Sequence, residues 1–497
     1  MVQLANVSEL KKEDIPKLVE IIKPELEKKQ KLYARYRRKD KDTDIIHGRK
    51  NLNISFEKYC IDNASGYLGG KEPTYEVQQV TDEKKKGLLR KVLNKVFPSE
   101  DYAESMKMII DHIVDYNDDG TENYTLVKDL LTTGTCYEIL YENSENEIVY
   151  TRKDPLQTQA IWDYSVPRNL IGIVNIYEEK DVNNTTSTIV ELTDKTGTRK
   201  FKGSGSNYEE LKVNEDEKNH NWGDVPYTVA EIPDGIGFVE PVLDIINAYE
   251  ELIQSLKETF KYNNNAKLKV TGYRPQDELL VPLLDKDGVP VLDASGNKIM
   301  IENKVRKDFD EALLKAPVFY TPDDGDIDWI LKTIDDGSTQ NTLKTYIDLI
   351  MMITGVPQTT DLGFTKADNA SAIDRKFFTL EQVTTQAMQL LKMAYKRRWE
   401  LIFNRYSLKG QKFDFRDVKI TLNKNLPANE NEMIDMYLKL RGLVSDETII
   451  ERIPLDLDAN SEMNKMEEQE QDDLDKEVQK ASAMSQFNNK QVKEEKK

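Results

Sequence analysis

At 497 residues, 38% apolar and 32% charged, the chain is long enough for roughly three ordinary domains, yet its composition favours a surface-rich or extended subunit that completes its core against neighbours over a compact monomeric enzyme. A net charge of −19 argues against a broad nucleic-acid-gripping face, because such a face needs Lys and Arg to neutralise phosphates; only a local basic face stays open. No apolar run is long enough to span a membrane, and MVQLANVSELKKEDIPKL lacks the parts of a signal peptide, so no membrane partner and a cytoplasmic location are expected.

The first predicted helix is DIPKLVEIIKPELEKKQKLYARYRR, with Asp14 as N-cap, Pro16 in the first turn and Leu18, Ile21 and Ile22 as an apolar stripe. Pro24 is expected to kink or restart it. Arg35, Arg37, Arg38, Lys39 and Lys41 follow, interleaved with Asp40, Asp42 and Asp44, which reads as a mixed solvated surface. Residues 43–80 read as helix then strand with GYLGGKEP as a turn, and 84–116 as helical. From 124 to 240 strand candidates dominate: CYEILYE, EIVYTR, QAIWDY, IGIVNIYE, STIVELT and YTVAEI.

A helix then starts at Pro241, with Val242, Ile245, Ile246, Tyr249, Leu252, Ile253, Leu256 and Phe260 on one face. Short strands and tight turns fill 266–332, the DKDG and ASGN of LLDKDGVPVLDASGNKIMI being turns. TLKTYIDLIMMI is a second helix that can pair with the first as a hairpin. Gly355 and Pro357 end it, Asn369 or Ser371 caps the next helix, and about sixteen residues lie between, longer than most connections and therefore a functional or mobile loop. A long helix follows over about 372–406, then a strand at DVKITL, helices at 429–441 and 446–453, and a charged tail that is helical or disordered. No internal repeat is evident.

Chemical signatures are absent. GYLGGK has three residues between Gly66 and Gly70 and Glu72 after Lys71, so it fails as a phosphate loop and reads as a turn. DYNDDGTENYTL offers Asp115, Asn117, Asp119 and Gly120 at calcium-loop spacing but ends on Leu126 where a bidentate Glu is needed, so an exposed Asp-rich turn is expected. His47, His112 and His220 are far apart, no CxxC or GxSxG occurs, and Cys60 and Cys136 read as reduced core residues. No catalytic constellation, metal site or cofactor site is nominated.

Six stretches in order, NLNISFEKYCIDNASGYLGGKEPTY, LLTTGTCYEILYENSENEIVY, HNWGDVPY, the Tyr249 helix, TYIDLIMMITGVPQTTD and GLVSDETIIERIP, resemble the portal proteins of long-tailed bacteriophages over roughly 30–460. The resemblance implies an α+β portal fold with a wing, a two-helix stem, a small β-containing clip, a long helix and a helical crown. It implies an N-terminal arm and wing over 1–238, stem helices at 239–263 and 338–354, the clip at 264–337 and a tunnel loop at 355–370. The long helix and a return strand take 371–424, the crown 425–470 and a charged tail 471–497. One departure is DNASAIDRK at the entry to the long helix, where the family often has a Ser-Gly step.

The same resemblance implies a ring, usually of twelve copies, at one capsid vertex, through which double-stranded DNA is packaged and ejected. Its partners would be a terminase packaging motor, a head-tail connector protein, and capsid and scaffold proteins. On the tunnel loop Gln358, Thr359, Thr360, Lys366 and Asn369 would give brief polar contacts to DNA while Asp361 and Asp368 repel phosphate, and Lys257 and Lys261 would add sparse contacts from the first stem helix. Twelve copies carry roughly −228, a field that repels DNA within a Debye length of about 8 Å. Other readings stay open: a connector or coiled-coil scaffold without a DNA channel, against which the strand-rich 124–240 speaks, and a hydrolase built on scattered carboxylates.

Overall fold

A computed structural model describes residues 2–37, 54–77, 99–180, 186–205, 207–213, 218–264, 267–271, 280–293, 295–305, 307–308, 311, 324–331, 336–358, 370–408 and 413–425, with isolated positions between 439 and 469. The expected helices at 429–441 and 446–453 lie outside the described residues, apart from single positions. The chain divides into two units, one of residues 1–48, 55–244 and 349–497, the other of 49–54 and 245–348.

In the first unit Asp14 leads into α1 (Ile15–Arg37), and its carbonyl accepts from Leu18 N at 3.0 Å. Its carboxylate accepts from Lys11 N instead, so the cap is made by the backbone. Contrary to expectation, α1 runs through Pro24 as one helix. Proline costs a helix interior about 3 kcal/mol by removing a bond and crowding a carbonyl. The buried stripe Ile15, Leu18, Ile22, Leu26, Leu32 and Tyr36 continues on both sides of it, and tertiary packing of that stripe outweighs the local defect.

The stripe lies on a six-stranded sheet made of β1 (Val2–Gln3), β5 (Thr158–Trp162), β6 (Leu170–Lys180), β7 (Thr186–Thr193), β8 (Thr198–Ser204) and β9 (Asn207–Leu211), in that order. β1 pairs parallel to β5 and all other neighbours are antiparallel. Ile22 and Leu26 meet Ile161, Val174, Val190, Leu192 and Phe201 there. On the other side Ala160 and Ile173 pack with Val225 and with Tyr137 and Tyr227 of a three-stranded layer, β10 (Tyr227–Glu231), β3 (Thr135–Glu142) and β4 (Ile148–Lys153). All six strand candidates are found. β8 and β9 were not expected, because TRKFKGS and NYEEL carry too few apolar residues for alternation to show.

Helices complete this unit. α2 (Phe56–Gly69) continues through the expected turn at Gly66 and ends only at Gly70, where a side chain would sit 2.3 Å from the Gly66 carbonyl. β2 (Thr74–Val77) pairs antiparallel with β15 (Val418–Thr421), the strand expected at DVKITL. α3 (Ser99–Tyr116) and α4 (Asp119–Thr133) are split by Asp118 in a left-handed conformation, and α4 packs along α2. Cys60 and Cys136 are buried and reduced, as expected, and burial pushes the Cys60 thiol up to about 12.

Lys29 of α1 is buried over the sheet, where Nζ donates to Tyr137 OH at 2.9 Å, Thr158 O at 2.9 Å and Gln159 Oε1 at 2.8 Å. Burial lowers its pKa to about 7. The unfolded chain therefore binds this proton more tightly than the folded one, and stability rises with pH between about 7 and the ordinary lysine value. Melting temperatures measured over that range should climb for the native chain and lose this climb in Lys29→Met. Equal slopes would place the titration elsewhere.

The second unit is held by α5 (Leu243–Asn264), α6 (Asp336–Thr354, whose last turn belongs to the first unit) and short strands. β11 (Lys267–Thr271) pairs with β14 (Asp326–Ile330), and β12 (Leu280–Pro282) with β13 (Met300–Glu302). The expected hairpin of α5 and α6 does not bury the α5 stripe. Leu252, Ile253 and Leu256 are half-buried and Phe260 is 56% exposed, while the buried residues of α5 are Ile246, Glu250 and Thr259.

The expected turns at DKDG and ASGN are present, and they belong to a repeat that the sequence reading missed. Leu284-Asp285 with Gly288 and Val291 is matched eight residues on by Leu292-Asp293 with Gly296 and Ile299. In each copy the aspartate Oδ1 accepts two backbone N–H groups across its turn, and the glycine takes a positive φ, 80° at Gly288 and 84° at Gly296. Leu283 N donates to Ile299 O, Ile299 N to Val291 O and Val291 N to Leu283 O, at 2.8–2.9 Å, closing a three-sided cycle. Two copies of a short motif with unlike intervening residues are too few to stand out in a sequence.

Candidate functional site

The loop expected after residue 354 is described at its root. Helix α6 ends as the sequence predicts: Gly355 N donates to Met351 O at 2.8 Å, and Gly355 takes φ +70°. Thr354 Oγ1 bonds back to Ile350 O at 2.8 Å. Val356 is buried, and Tyr59 OH of α2 donates to Pro357 O at 3.3 Å. A side chain at Gly355 would lie 2.7 Å from Leu380 N, so the root of the loop rests directly on the backbone of the long helix α7 (Ala370–Leu408). Gln358 is the last described residue before the loop, half-buried. Thr359, Thr360, Asp361, Lys366, Asp368 and Asn369 lie outside the described residues. Ser371 falls inside α7 and so does not cap it, and the alternative cap, Asn369, is among the residues not described.

Lys257 and Lys261 are both exposed one turn apart on α5, in the second unit, beside Glu258, which accepts from Gln254 Nε2. They share a helix face with each other and belong to a different unit from Gln358.

What holds α7 to the first unit is a buried ionic cluster that sequence reasoning missed. Arg398, 0% exposed, clasps Glu138 of β3 through Nε at 2.9 Å and Nη2 at 2.7 Å. Its Nη1 reaches Asp119 Oδ1 at 2.6 Å and Tyr75 OH at 3.2 Å, and Nη2 reaches Asn123 Oδ1 at 2.9 Å. Tyr75 and Tyr150 donate to Asp119, Thr228 donates to Glu138, and the guanidinium lies 4.1 Å from the Tyr150 ring centroid. Burial pushes the Glu138 carboxyl up, opposed by the charge and hydrogen bonds of Arg398.

The expectation of an exposed Asp-rich turn at 115–126 is thereby corrected. Asn117 and Asp119 are buried; Asn117 bonds Ile113 O, Ile148 O and Tyr150 N, and Asp119 begins α4 and turns inward to Arg398. A carboxylate at a helix N-terminus already gains from the helix dipole, and a guanidinium makes its burial tolerable. Arg35 is a second correction. Read as solvated, it pairs with the buried Glu57 at 2.6 Å, while Arg38 to Asp44 lie outside the described residues. Among the described residues no cluster of His, Cys, Asp and Glu is arranged to hold a metal, and no helix is long and apolar enough to cross a membrane.

A helix, a β-rich segment, a second helix and a 39-residue helix thus follow one another, and among the described residues no catalytic constellation is assembled. Compared with known protein families, the chain matches the family described as phage portal protein, SPP1 Gp6-like, over residues 17–476. The chain belongs to this family of phage portal proteins. It is of the siphophage type that the sequence resemblance pointed to. A search of curated proteins gave no match. Portal proteins are structural components of the virion, at a capsid vertex, and serve DNA packaging; the family assembles as a ring with the capsid and the packaging machinery. The fold mixes helix and sheet, consistent with the expected α+β class.

Proposed function

We propose that this portal protein closes into a ring, usually of twelve copies, whose bore carries double-stranded DNA into the capsid and out again. In this reading residues 1–238 form the arm and wing, 239–263 and 338–354 the stem, and 264–337 the clip that receives the terminase motor and later the head-tail connector. The loop at 355–370 reaches into the bore, 371–424 return to the wing, and 425–470 form the crown. Gln358, Thr359, Thr360, Lys366 and Asn369, with Lys257 and Lys261 on α5, make brief contacts to passing DNA, and Asp361 and Asp368 keep it from sticking. The match to the portal family over most of the chain carries this proposal.

The partly uncovered stripe of α5 supports it. Leu252, Ile253, Leu256 and Phe260 are the apolar surface that a second copy can cover, and a closed ring brings two different faces of neighbouring copies together. An acidic bore is part of this reading: the net charge of −19 favours it, since each neutralised phosphate adds affinity that translocation must break. Electron microscopy of the purified protein should show rings with an opening wide enough for a duplex, and Phe260→Asp should shift native mass spectra from rings to monomers. Wild-type particles without an opening would overturn the ring reading. Intact rings in the variant would remove α5 from the subunit contact.

A further inference from the structure

Between Arg375 and Lys396 helix α7 divides sharply into two faces. Inward lie Leu380, Thr384, Ala387, Leu391, Ala394 and Tyr395, all buried. Outward, Arg375, Phe378, Gln382, Thr385, Gln389, Lys392 and Lys396 are all exposed. Their spacing alternates three and four, which on an α-helix makes one continuous strip, about 31 Å long at 1.5 Å per residue. The strip holds three cations, two amides and a hydroxyl, and no carboxylate. Among the described side chains the acids flanking it are engaged off its line: Glu381 with Lys424, Glu400 with Arg397. At its end Lys396 and Arg416 both reach over the Phe415 ring, at 6.0 and 5.7 Å from its centroid, while Asp414 accepts from Arg416 N.

Such a strip is anomalous on a chain of net charge −19. We infer that it is a docking surface for the phosphate backbone of double-stranded DNA, distinct from the loop and stem residues proposed above. Five of its seven side chains present N–H donors, the Thr385 hydroxyl being engaged with Glu381 O at 2.6 Å, and Arg, Lys and Gln are side chains that contact phosphate oxygens without reading bases. Duplex DNA carries one charge per about 1.7 Å of axis, so a strip of this length faces on the order of 18 phosphates while neutralising only three or four. Binding is therefore weak, salt-sensitive and blind to sequence. A neighbouring copy is the other candidate occupant, and Phe378 on the strip with Val383 and Met393 beside it would suit one. Interfaces between permanent partners are more apolar and depleted of Lys, however, whereas those with DNA are polar and positively charged, which is the composition here. The inference rests on the portal reading for the presence of DNA, not for the strip.

The test uses assembled full-length protein and a short labelled duplex of mixed sequence, read by anisotropy across a salt series. Lys392→Gln with Lys396→Gln should flatten the slope of log K against log salt by about 1.8 and weaken binding roughly tenfold or more near 0.1 M salt. Gln382→Glu with Gln389→Glu, which removes no cation, should weaken binding as well by adding charge at the centre. Mass photometry follows ring integrity in parallel. No binding by the native ring, or native-like slopes in both double variants, would overturn the inference. So would variants that fall apart into monomers, since the strip would then face a neighbouring copy. Native protein that lacks a ring or a bore would instead undo the portal-channel reading, while the contrast between native and variant chains would still report on the strip.

Discussion

Replacing Arg398 by methionine should destabilise the first unit by about 3–5 kcal/mol, the cost of leaving buried carboxylates without their cation. Asp119 and Glu138 are 1% and 0% exposed, and no water reaches them to take over from the guanidinium. The clasp joins α7 to β3, to the start of α4 and, through Tyr75, to β2, so four elements that meet at one point lose their shared partner. Urea unfolding followed by circular dichroism would read the loss as a lower midpoint. Adding Asp119→Asn and Glu138→Gln to Arg398→Met should recover a large part of it, because the orphaned charges go with the cation. A triple variant as unstable as the single one would show that packing of the guanidinium on Tyr150 and Tyr395, and not charge, is what α7 depends on.

The second large effect is expected at Gly355. Two independent costs meet there: φ of +70°, which for a residue with a Cβ costs about 1–2 kcal/mol, and a Cβ that would stand 2.7 Å from Leu380 N and 2.8 Å from Thr379 C. The neighbour is backbone in the middle of a helix and cannot rotate away. Gly355→Ala and Gly355→Asn separate the two costs, since asparagine tolerates the left-handed conformation but collides as alanine does. Both variants should melt lower than the native chain, Gly355→Ala by the larger margin because it bears both costs and Gly355→Asn only the collision. A native melting temperature in Gly355→Asn alone would mean that conformation, not contact, requires the glycine.

Local signals carried much of this architecture. Apolar alternation located six strands, helical spacing located α1, α5, α6 and α7, and the Gly355–Pro357 pair located the end of α6, because each depends on neighbours within a few residues. What escaped was long-range. Arg398 stands 279 residues from Asp119 and 260 from Glu138, and nothing in RRWELIF says which arginine points inward. Asp119 sits in a stretch of turn formers and reads as solvated until the tyrosines above it are known. Pro24 failed as a helix breaker for the same reason: the stripe that holds α1 together is completed by a sheet more than a hundred residues away. On the loop itself, the residue types suggested a role while the geometry reached only as far as Gln358.

The three-sided cycle through Leu283, Val291 and Ile299 has an arithmetic consequence. Leu283, Val291 and Ile299 stand eight residues apart and bond head to tail in a closed ring, so both connections must keep the same span for the third bond to form. Lengthening or shortening either connection throws its aspartate off its turn and opens the ring. Relatives of this chain are therefore expected to vary in length outside 283–299 and not within it.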